Sequence, residues 1–207
     1  MDFSGQVFRG LRWLRLLVTR YICTAVNYVV TLLKGVKIGG GCRFWGVTYF
    51  SRYVNSSITI GSNCSFRSDK RSNLAGVNRS CIVATHGRDA KIVIGDNCGL
   101  SGTVIGAATS VSIGNNVMIG ANSFITDFDW HSLYPETRNT TFAKAPVNIG
   151  NHVWIAANCT ILKGVTIGDN AVIGVNSVVL SDVPSNTLAA GNPCKIIKQI
   201  PVNGANS

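Results

Sequence analysis

The chain has 207 residues, is 46% hydrophobic and only 14% charged, and contains 22 glycines. This composition excludes a disordered chain and favours one substantial domain with an aliphatic interior and many corners. The formal net charge of +10 predicts attraction to phosphates, acidic glycans or an anionic membrane. We expect no nucleic-acid partner, because the sequence has neither a zinc-finger spacing nor an aromatic RNA-binding motif.

Residues 1–34 are rich in Leu, Val and aromatic residues and carry five basic residues against one acidic residue. Arg9, Arg12 and Arg15 recur every three positions among apolar residues, which predicts a helix with a basic side and a broad apolar side. We expect this helix to be too short and too interrupted to span a bilayer, and it lacks the cleavage site of a signal peptide. Two interpretations remain open. The helix either caps the following domain or packs between subunits, or it lies on an anionic membrane surface.

In residues 35–183 the aliphatic residues recur every six positions. The unbroken series is Ile149, Ile155, Ile161, Ile167, Ile173 and Val179, and less regular turns begin at Ile38, Ile60, Ile94 and Ile113. A period of six is a multiple of the strand period of two, so it predicts short strands joined by regular corners, with Gly and Asn supplying positive φ or tight turns. Such a pattern is typical of a β-solenoid. If three units close one triangular coil, Ile149 lies over Ile167, Ile155 over Ile173 and Ile161 over Val179.

The repeat has two irregular places. The step from Leu100 to Ile113 is one residue longer than two repeats, which predicts a bulge or shifted corner near Ala107–Ser110. The pattern then stops after Ile125 and resumes at Val147, so residues 127–146 are predicted to form a protruding loop, where functional residues concentrate.

Seven cysteines lack a C-x-x-C pair. Four of them stand four positions after a repeat aliphatic residue: Cys42, Cys64, Cys98 and Cys159. We interpret these as small apolar filling inside the solenoid rather than as disulfides or metal ligands. The odd number of thiols favours a reducing cytoplasm, with the inner face of the plasma membrane as the place for a membrane-bound form.

His131 lies in the protruding loop and follows Asp127 and Asp129. An imidazole titrates near neutrality, so it can take a proton from an alcohol and return it later. A nearby carboxylate can fix its tautomer and stabilise the imidazolium. The pattern therefore indicates a general base, although a lone loop histidine is more often an ordinary surface residue.

The stretch NIGNHVWIAANCTILKGVTIGDNAVIGVNSVVLSDVPSNTLAAGNPCKIIKQI resembles the hexapeptide-repeat acyltransferases, and NVMIGANSFITDFDWHSLYPETR is similar to the catalytic segment of their sugar O-acetyltransferase branch. The resemblance covers about residues 35–200. It implies an all-β solenoid, a left-handed parallel β-helix, between an N-terminal α-helical segment and a C-terminal cap and tail at 184–207. We expect the last residues, VNGANS, to be disordered.

The resemblance also implies site roles. His131 would deprotonate a sugar hydroxyl, which attacks acetyl-CoA directly, and Asp127 or Asp129 would orient the ring. Trp130 and Arg138 are assigned to the acceptor, although a structural salt bridge is an equal alternative for Arg138. The implied CoA-binding residues are Ala157 and Val175 at the pantetheine arm, Leu180 and Ser181 at the adenine, and Lys195 and Lys198 at the phosphates. Without the resemblance, the two lysines would be assigned to a solvated face.

The family works as homotrimers with sites between subunits, so we expect a homotrimer. The predicted acceptor is a cell-surface polysaccharide or lipid-linked glycan precursor; the alternative is a small soluble sugar or xenobiotic. A zinc hydratase is less favoured, because the three histidines His86, His131 and His152 are far apart in sequence, and no metal is expected. A non-catalytic solenoid platform is the remaining alternative.

Overall fold

The computed structural model describes residues 3–140 and 142–201. The predicted disorder of residues 202–207 concerns residues outside this part. One helix precedes the strands, α1 (Phe3–Lys34). The strands are β1 (Lys37–Ile38), β2 (Arg43–Trp45), β3 (Tyr49–Ser51), β4 (Ser57–Ile60), β5 (Ser65–Arg67), β6 (Ile82–Thr85), β7 (Lys91–Ile94), β8 (Gly99–Ser101), β9 (Val104–Ala107), β10 (Ser110–Ile113), β11 (Met118–Ile119), β12 (Phe124–Thr126), β13 (Val147–Ile149), β14 (Trp154–Ile155), β15 (Thr160–Ile161), β16 (Thr166–Ile167), β17 (Val172–Ile173), β18 (Val178–Val179), β19 (Thr187–Ala190) and β20 (Lys195–Gln199).

The strands form three sheets that are the three faces of a prism. Sheet A has the order β1-β4-β7-β10-β13-β16, sheet B has β2-β5-β8-β11-β14-β17-β19-β20, and sheet C has β3-β6-β9-β12-β15-β18. All pairings are parallel except the last, between β19 and β20. Each coil therefore contributes one strand to each sheet, and six coils are stacked.

The register confirms the predicted stacking of the six-residue units. Ile149 pairs with Ile167 in sheet A, and Ile155 pairs with Ile173 in sheet B. In sheet C, Ile161 pairs with Val179. These side chains are buried, as expected when every sixth residue points into the prism.

Aromatic residues fill the prism in its first two coils. Phe44 and Phe66 stack with ring centroids 4.8 Å apart, and Phe50 meets Phe66 edge to face at 6.4 Å. All three are buried, whereas Tyr49 and Tyr53 in the same part of the chain are 60% and 50% exposed. Aliphatic residues replace them from the third coil onward.

The corners show that Gly and Asn have different tasks. Gly150 and Gly168, which follow repeat aliphatic residues, do not have positive φ; a Cβ on Gly150 would lie 2.8 Å from the backbone nitrogen of Asp169 in the next coil. Positive φ is adopted instead by corner residues such as Asn170 (60°) and Asn176 (58°). Asparagine thus supplies the predicted positive φ, and glycine after the repeat aliphatic residues permits close approach of the coils.

The cysteines are packed as predicted. Cys42, Cys64, Cys98 and Cys159 are buried, and no cysteine is in a disulfide. Each Sγ donates a hydrogen bond to a corner carbonyl of the next coil, for example Cys64 to Gly95 at 3.1 Å and Cys159 to Gly174 at 3.1 Å.

The shifted corner lies where the sequence predicts it. The buried residues Ile105 of β9 and Ile113 of β10 are eight positions apart instead of six, so this corner is longer than in a regular coil. The preceding corner is shortened at Gly102, which has a φ of 54°. The long corner adds more residues than the short corner removes, and the net difference is the single extra residue between Leu100 and Ile113.

The C-terminal part of α1 caps the open end of the first coil. Asn27 is fully buried: its Nδ2 donates to the Cys23 carbonyl at 2.6 Å and to the Gly46 carbonyl at 3.1 Å, and its Oδ1 accepts from Thr48 N–H at 3.0 Å. These bonds satisfy backbone groups that the coil end would otherwise leave unpaired. The structure thus supports the capping interpretation for this part of the helix.

The N-terminal part of α1 projects beyond the solenoid. Phe8 and Trp13 are 72% and 65% exposed, and most residues from Ser4 to Leu14 are exposed. The helix is unbroken over its 32 residues, and Ser4–Lys34 is long and apolar enough to cross a membrane by length and composition. The prediction that this segment is too short and interrupted to span a bilayer is wrong in this respect.

Candidate functional site

The predicted catalytic loop leaves the prism at the edge between sheets C and A, after β12. Asp127, its first residue, is fully buried. Its carboxylate accepts backbone N–H groups from Ala108 at 2.6 Å, from Thr109 at 2.7 Å and from Ser110. These three residues form the long corner of the coil below, so Asp127 fastens the base of the loop to that corner.

This geometry corrects the expected role of Asp127. A carboxylate that accepts three backbone N–H groups has few lone pairs left for an imidazole. The loop histidine is not among its hydrogen-bond partners. Asp127 is therefore a structural residue in the folded chain, and the sequence could not indicate this because its partners lie 17 to 19 residues earlier.

Asp129 holds a different part of the loop. Its Oδ1 lies 2.7 Å from Lys163 Nζ, in an ion pair whose side chains are 34% and 32% exposed. Its backbone N–H donates to the Ala143 carbonyl at 2.8 Å, and Gly164 N–H donates to Ala145 at 3.0 Å. The loop is thereby fixed to the same edge one coil later. Asp129 is thus paired with Lys163 through one oxygen, and its role in orienting the histidine stays a prediction.

A backbone carbonyl fixes the ring of His131. Nδ1 lies 3.2 Å from the Arg138 carbonyl oxygen, which also accepts Ser132 N–H at 3.3 Å. Because a carbonyl oxygen only accepts hydrogen bonds, Nδ1 must carry the proton in this contact. The neutral ring then has an unprotonated Nε2, which is the form required of a general base.

The turn around His131 is closed by short-range hydrogen bonds. Ser132 Oγ and Thr137 Oγ1 are 2.9 Å apart, and Tyr134 N–H donates to Ser132 Oγ at 3.1 Å. A 3-10 helix, Pro135–Thr137, follows Tyr134 and brings Arg138 back to the histidine. The imidazole is exposed, so an acceptor can reach it from solvent.

An aromatic cluster supports the first half of the loop. Phe128 packs against Trp130 (centroids 4.8 Å apart), His86 (5.2 Å) and Phe142 (5.3 Å), and His86 meets Trp130 edge to face at 4.9 Å. Burial lowers the pKa of His86, so its neutral form is favoured in this cluster. The packing of His86 against Phe128 and Trp130 indicates a structural role for this residue.

A cavity of about 430 Å³ adjoins the loop. Its lining residues are Asp129, Ser132, Leu133, Tyr134, Thr137, Phe142 and Ala143. Trp130 is 49% exposed, and Arg138 is exposed with no ion pair within residues 3–140 and 142–201. Trp130 and Arg138, which are predicted to contact the acceptor, are therefore both accessible to solvent. Both are close to His131 in the sequence, and the Arg138 carbonyl accepts a hydrogen bond from the histidine ring.

The predicted CoA-binding residues lie on other parts of the prism. Ala157 and Val175 occupy successive corners between sheets B and C, linked by a 3.0 Å hydrogen bond from Asn176 N–H to the Ala157 carbonyl. Leu180 and Ser181 are exposed at the edge between sheets C and A. Lys195 and Lys198 are exposed on β20, beyond the last full coil. One chain thus places the histidine loop and the pair Ala157 and Val175 on different edges.

Two family models match the repeats of this chain. Residues 146–181 match "Bacterial transferase hexapeptide (six repeats)", and residues 91–127 match "Hexapeptide repeat of succinyl-transferase". These matches make the repeats of this chain similar to those of the hexapeptide-repeat acyltransferases. The parallel three-sided solenoid is accordingly the left-handed β-helix predicted from the resemblance.

Curated hexapeptide-repeat relatives are similar over part of their length. The galactoside O-acetyltransferase of Escherichia coli is 45% identical over 92 residues, which are 44% of this chain and 45% of the relative. A putative acetyltransferase of Saccharomyces cerevisiae is 43% identical over 113 residues, which are 54% of this chain and 57% of the relative. The chain spans about half the length of the curated relatives it matches.

Solved structures of hexapeptide-repeat enzymes share the fold. A galactoside acetyltransferase in complex with coenzyme A is 27% identical, with 80% of this chain and 65% of that chain covered and a TM-score of 0.50. A hexapeptide-repeat acetyltransferase of Vibrio cholerae, complexed with acetyl coenzyme A, is 22% identical over 97% of this chain and 91% of that chain, with a TM-score of 0.59. At this identity the second likeness concerns the fold alone.

The structure adds residues that the sequence reasoning did not assign to the site. Lys163 is such a residue, since it forms the ion pair with Asp129. The sequence feature that could have indicated this contact is its position two residues after Ile161, because that position places a cation at the edge of the prism from which the loop leaves. Among the described residues, no three His, Cys, Asp or Glu side chains converge as ligands for a metal.

Proposed function

We propose that this chain is an acetyl-CoA-dependent O-acetyltransferase that acts on a sugar hydroxyl, with His131 as the general base. The observation that carries the proposal is the contact between His131 Nδ1 and the Arg138 carbonyl, which leaves Nε2 free to accept a proton. The repeats and the similarity to galactoside O-acetyltransferase support the reaction class.

The proposed reaction is a direct transfer. Nε2 of His131 takes the proton of the acceptor hydroxyl as its oxygen attacks the thioester carbonyl of acetyl-CoA. The C–O bond forms, the C–S bond breaks, and the imidazolium returns its proton to the departing thiolate. The products are the acetyl ester and CoA with a free thiol. The buried cysteines need no nucleophilic role, because no acyl-enzyme forms.

We infer that the complete site lies between adjacent copies in a homotrimer. The histidine loop and the corner of Ala157 and Val175 are on different edges of one prism, so a second copy is needed to bring them together. Val175 is 59% exposed in the single chain, which suits a position beside a bound pantetheine arm. Lys195 and Lys198 are exposed and can meet the CoA phosphates as point charges.

Trp130 and Arg138 suit the acceptor side of the site. The half-exposed indole can pack against the apolar face of a sugar ring. The exposed guanidinium can hydrogen-bond to sugar hydroxyls or to an acidic substituent. We assign the acceptor to a glycan of the cell surface or its lipid-linked precursor, and the basic helix α1 is proposed to bring the enzyme to the inner face of the plasma membrane.

The decisive test is acetyl transfer by His131→Ala with isolated glycans and acetyl-CoA, followed by mass spectrometry. Loss of a general base should lower turnover by about 10²–10⁴-fold. His152→Asn is a matched control, because His152 is exposed at a corner with a φ of 57°, a conformation that asparagine adopts at the neighbouring corners. Unchanged turnover in His131→Ala would remove the proposed base, and a monomer in light scattering would remove the shared site.

A further inference from the structure

A pocket lies where the projecting part of α1 meets the outer face of sheet B. Its volume is about 180 Å³, and its lining residues are Trp13, Leu16, Leu17, Arg20, Trp45 and Arg67. Two indole rings and two leucines thus stand beside two guanidinium groups. The pocket lies at the first coils of the solenoid, whereas Lys195 and Lys198 follow the last coil, so it is separate from the proposed CoA-binding residues.

Arg67 is held rigidly in this pocket. Its guanidinium lies over the Trp45 ring, 4.4 Å from the centroid, and Nη1 donates a hydrogen bond to the Ser72 carbonyl. The packed ring and this bond fix the plane of the guanidinium, so little side-chain entropy is lost when a ligand binds to its remaining N–H groups.

The pocket carries positive charge without a bound acidic side chain. Within residues 3–140 and 142–201, the ion pairs are Arg71–Asp69 and Lys163–Asp129, and neither involves Arg12, Arg20, Arg43 or Arg67. Burial, and then the positive charges of Arg43 and Arg12, lower the pKa of Arg67. Arg20 and Arg67 thus line one pocket without an acidic partner, and an anion bound there would offset the repulsion between the positive charges.

The surroundings favour an anion that belongs to a lipid. The helix that lines the pocket continues toward its N-terminus with exposed apolar side chains, among them Phe8 (72% exposed), Leu11 (58%) and Leu14 (53%). Arg9, Arg12 and Arg15 alternate with them along the same segment. Apolar side chains next to arginines on an exposed helix are typical of a segment that lies in the headgroup region of an anionic membrane.

We propose that the pocket of Trp13, Arg20, Trp45 and Arg67 binds the phosphate of an anionic phospholipid headgroup. The planar guanidinium of Arg67 is suited to two parallel hydrogen bonds with phosphate oxygens, and Arg12 and Arg20 add charge beside it. The apolar part of α1 then lies among the acyl chains. This proposal rests on the membrane attachment proposed above for α1 and does not depend on acetyl transfer.

The test is co-sedimentation of the full chain with vesicles of phosphatidylcholine, with and without phosphatidylglycerol. We expect binding only to the anionic vesicles, and about fivefold weaker binding for Arg67→Gln and for Arg12→Gln. Arg12 is exposed on α1, so its variant keeps the solenoid intact even if Arg67→Gln is destabilised. Arg88→Gln removes one exposed charge elsewhere and should bind as the wild type does.

Arg67→Lys separates a built phosphate site from general attraction between charges. It keeps the charge but lacks the planar fork, so the proposal expects it to bind as weakly as Arg67→Gln. Wild-type binding by Arg67→Lys, or an equal loss in Arg88→Gln, would overturn the proposal. Inorganic phosphate could instead stabilise the wild-type chain but not Arg67→Gln, while the chain binds no vesicles. That result would show that the pocket binds free phosphate and would overturn the lipid headgroup as the ligand.

Discussion

Asp127→Asn is expected to destabilise the folded chain far more than Asp129→Asn does. In the first variant, an amide replaces a buried carboxylate that accepts three backbone N–H groups. The amide nitrogen cannot accept, so at least one N–H group loses its partner, and the remaining bonds no longer involve a charge. A hydrogen bond to a charged group contributes about 1.5–3 kcal/mol, against about 1 kcal/mol for a neutral one. The free energy of unfolding should therefore fall by about 3 kcal/mol.

Asp129→Asn provides the comparison. The ion pair of Asp129 with Lys163 is about one-third exposed, and such pairs contribute about 0–1 kcal/mol because solvent screens them. Both variants are isosteric with Asp and both remove one negative charge from the same loop. The difference between them therefore isolates the buried hydrogen bonds of Asp127.

Urea unfolding followed by circular dichroism measures both free energies, provided that the m-values match. In thermal unfolding, a loss of about 3 kcal/mol corresponds to a Tm about 6–12 °C lower for a chain of this size. Wild-type stability of Asp127→Asn would show that these three hydrogen bonds do not stabilise the folded chain. If such a stable variant also lost acetyl transfer, Asp127 would instead act on the chemistry, as the sequence first suggested.

Three further predictions concern other parts of the fold. Asn27→Ala should lower the free energy of unfolding by about 2–3 kcal/mol in urea, because buried groups of Gly46 and Thr48 lose their partners. Burial depresses the pKa of His86 below its ordinary 6.5, so the unfolded chain binds this proton first on acidification. Stability should thus decline as the pH falls below about 6.5, and His86→Phe should reduce that slope. The thiol of Cys159 is buried and burial raises its pKa, so it should react with a thiol reagent only after denaturation, unlike the half-buried Cys23.

The amino-acid sequence by itself determined the solenoid and its register. A six-residue spacing places one large aliphatic side chain of each face inside the prism, and equal spacing in successive coils makes like residues stack. Ile149 over Ile167 and Ile155 over Ile173 follow from this geometry alone. The long corner near Ala107–Ser110 and the loop after Ile125 were readable for the same reason, since each breaks the period.

The tertiary structure alone decided what the polar side chains do. Asp127 and Asp129 are two residues apart, yet one binds the corner of the coil below and the other binds Lys163 in the coil above. Their partners are 17 to 34 residues away, and stacking of the coils is what makes them neighbours. For apolar residues the six-residue spacing determines which side chains are neighbours, because any aliphatic side chain can pack against the one stacked on it in the next coil. A carboxylate instead needs particular donors at hydrogen-bond distance, and only the folded coils bring those donors to it.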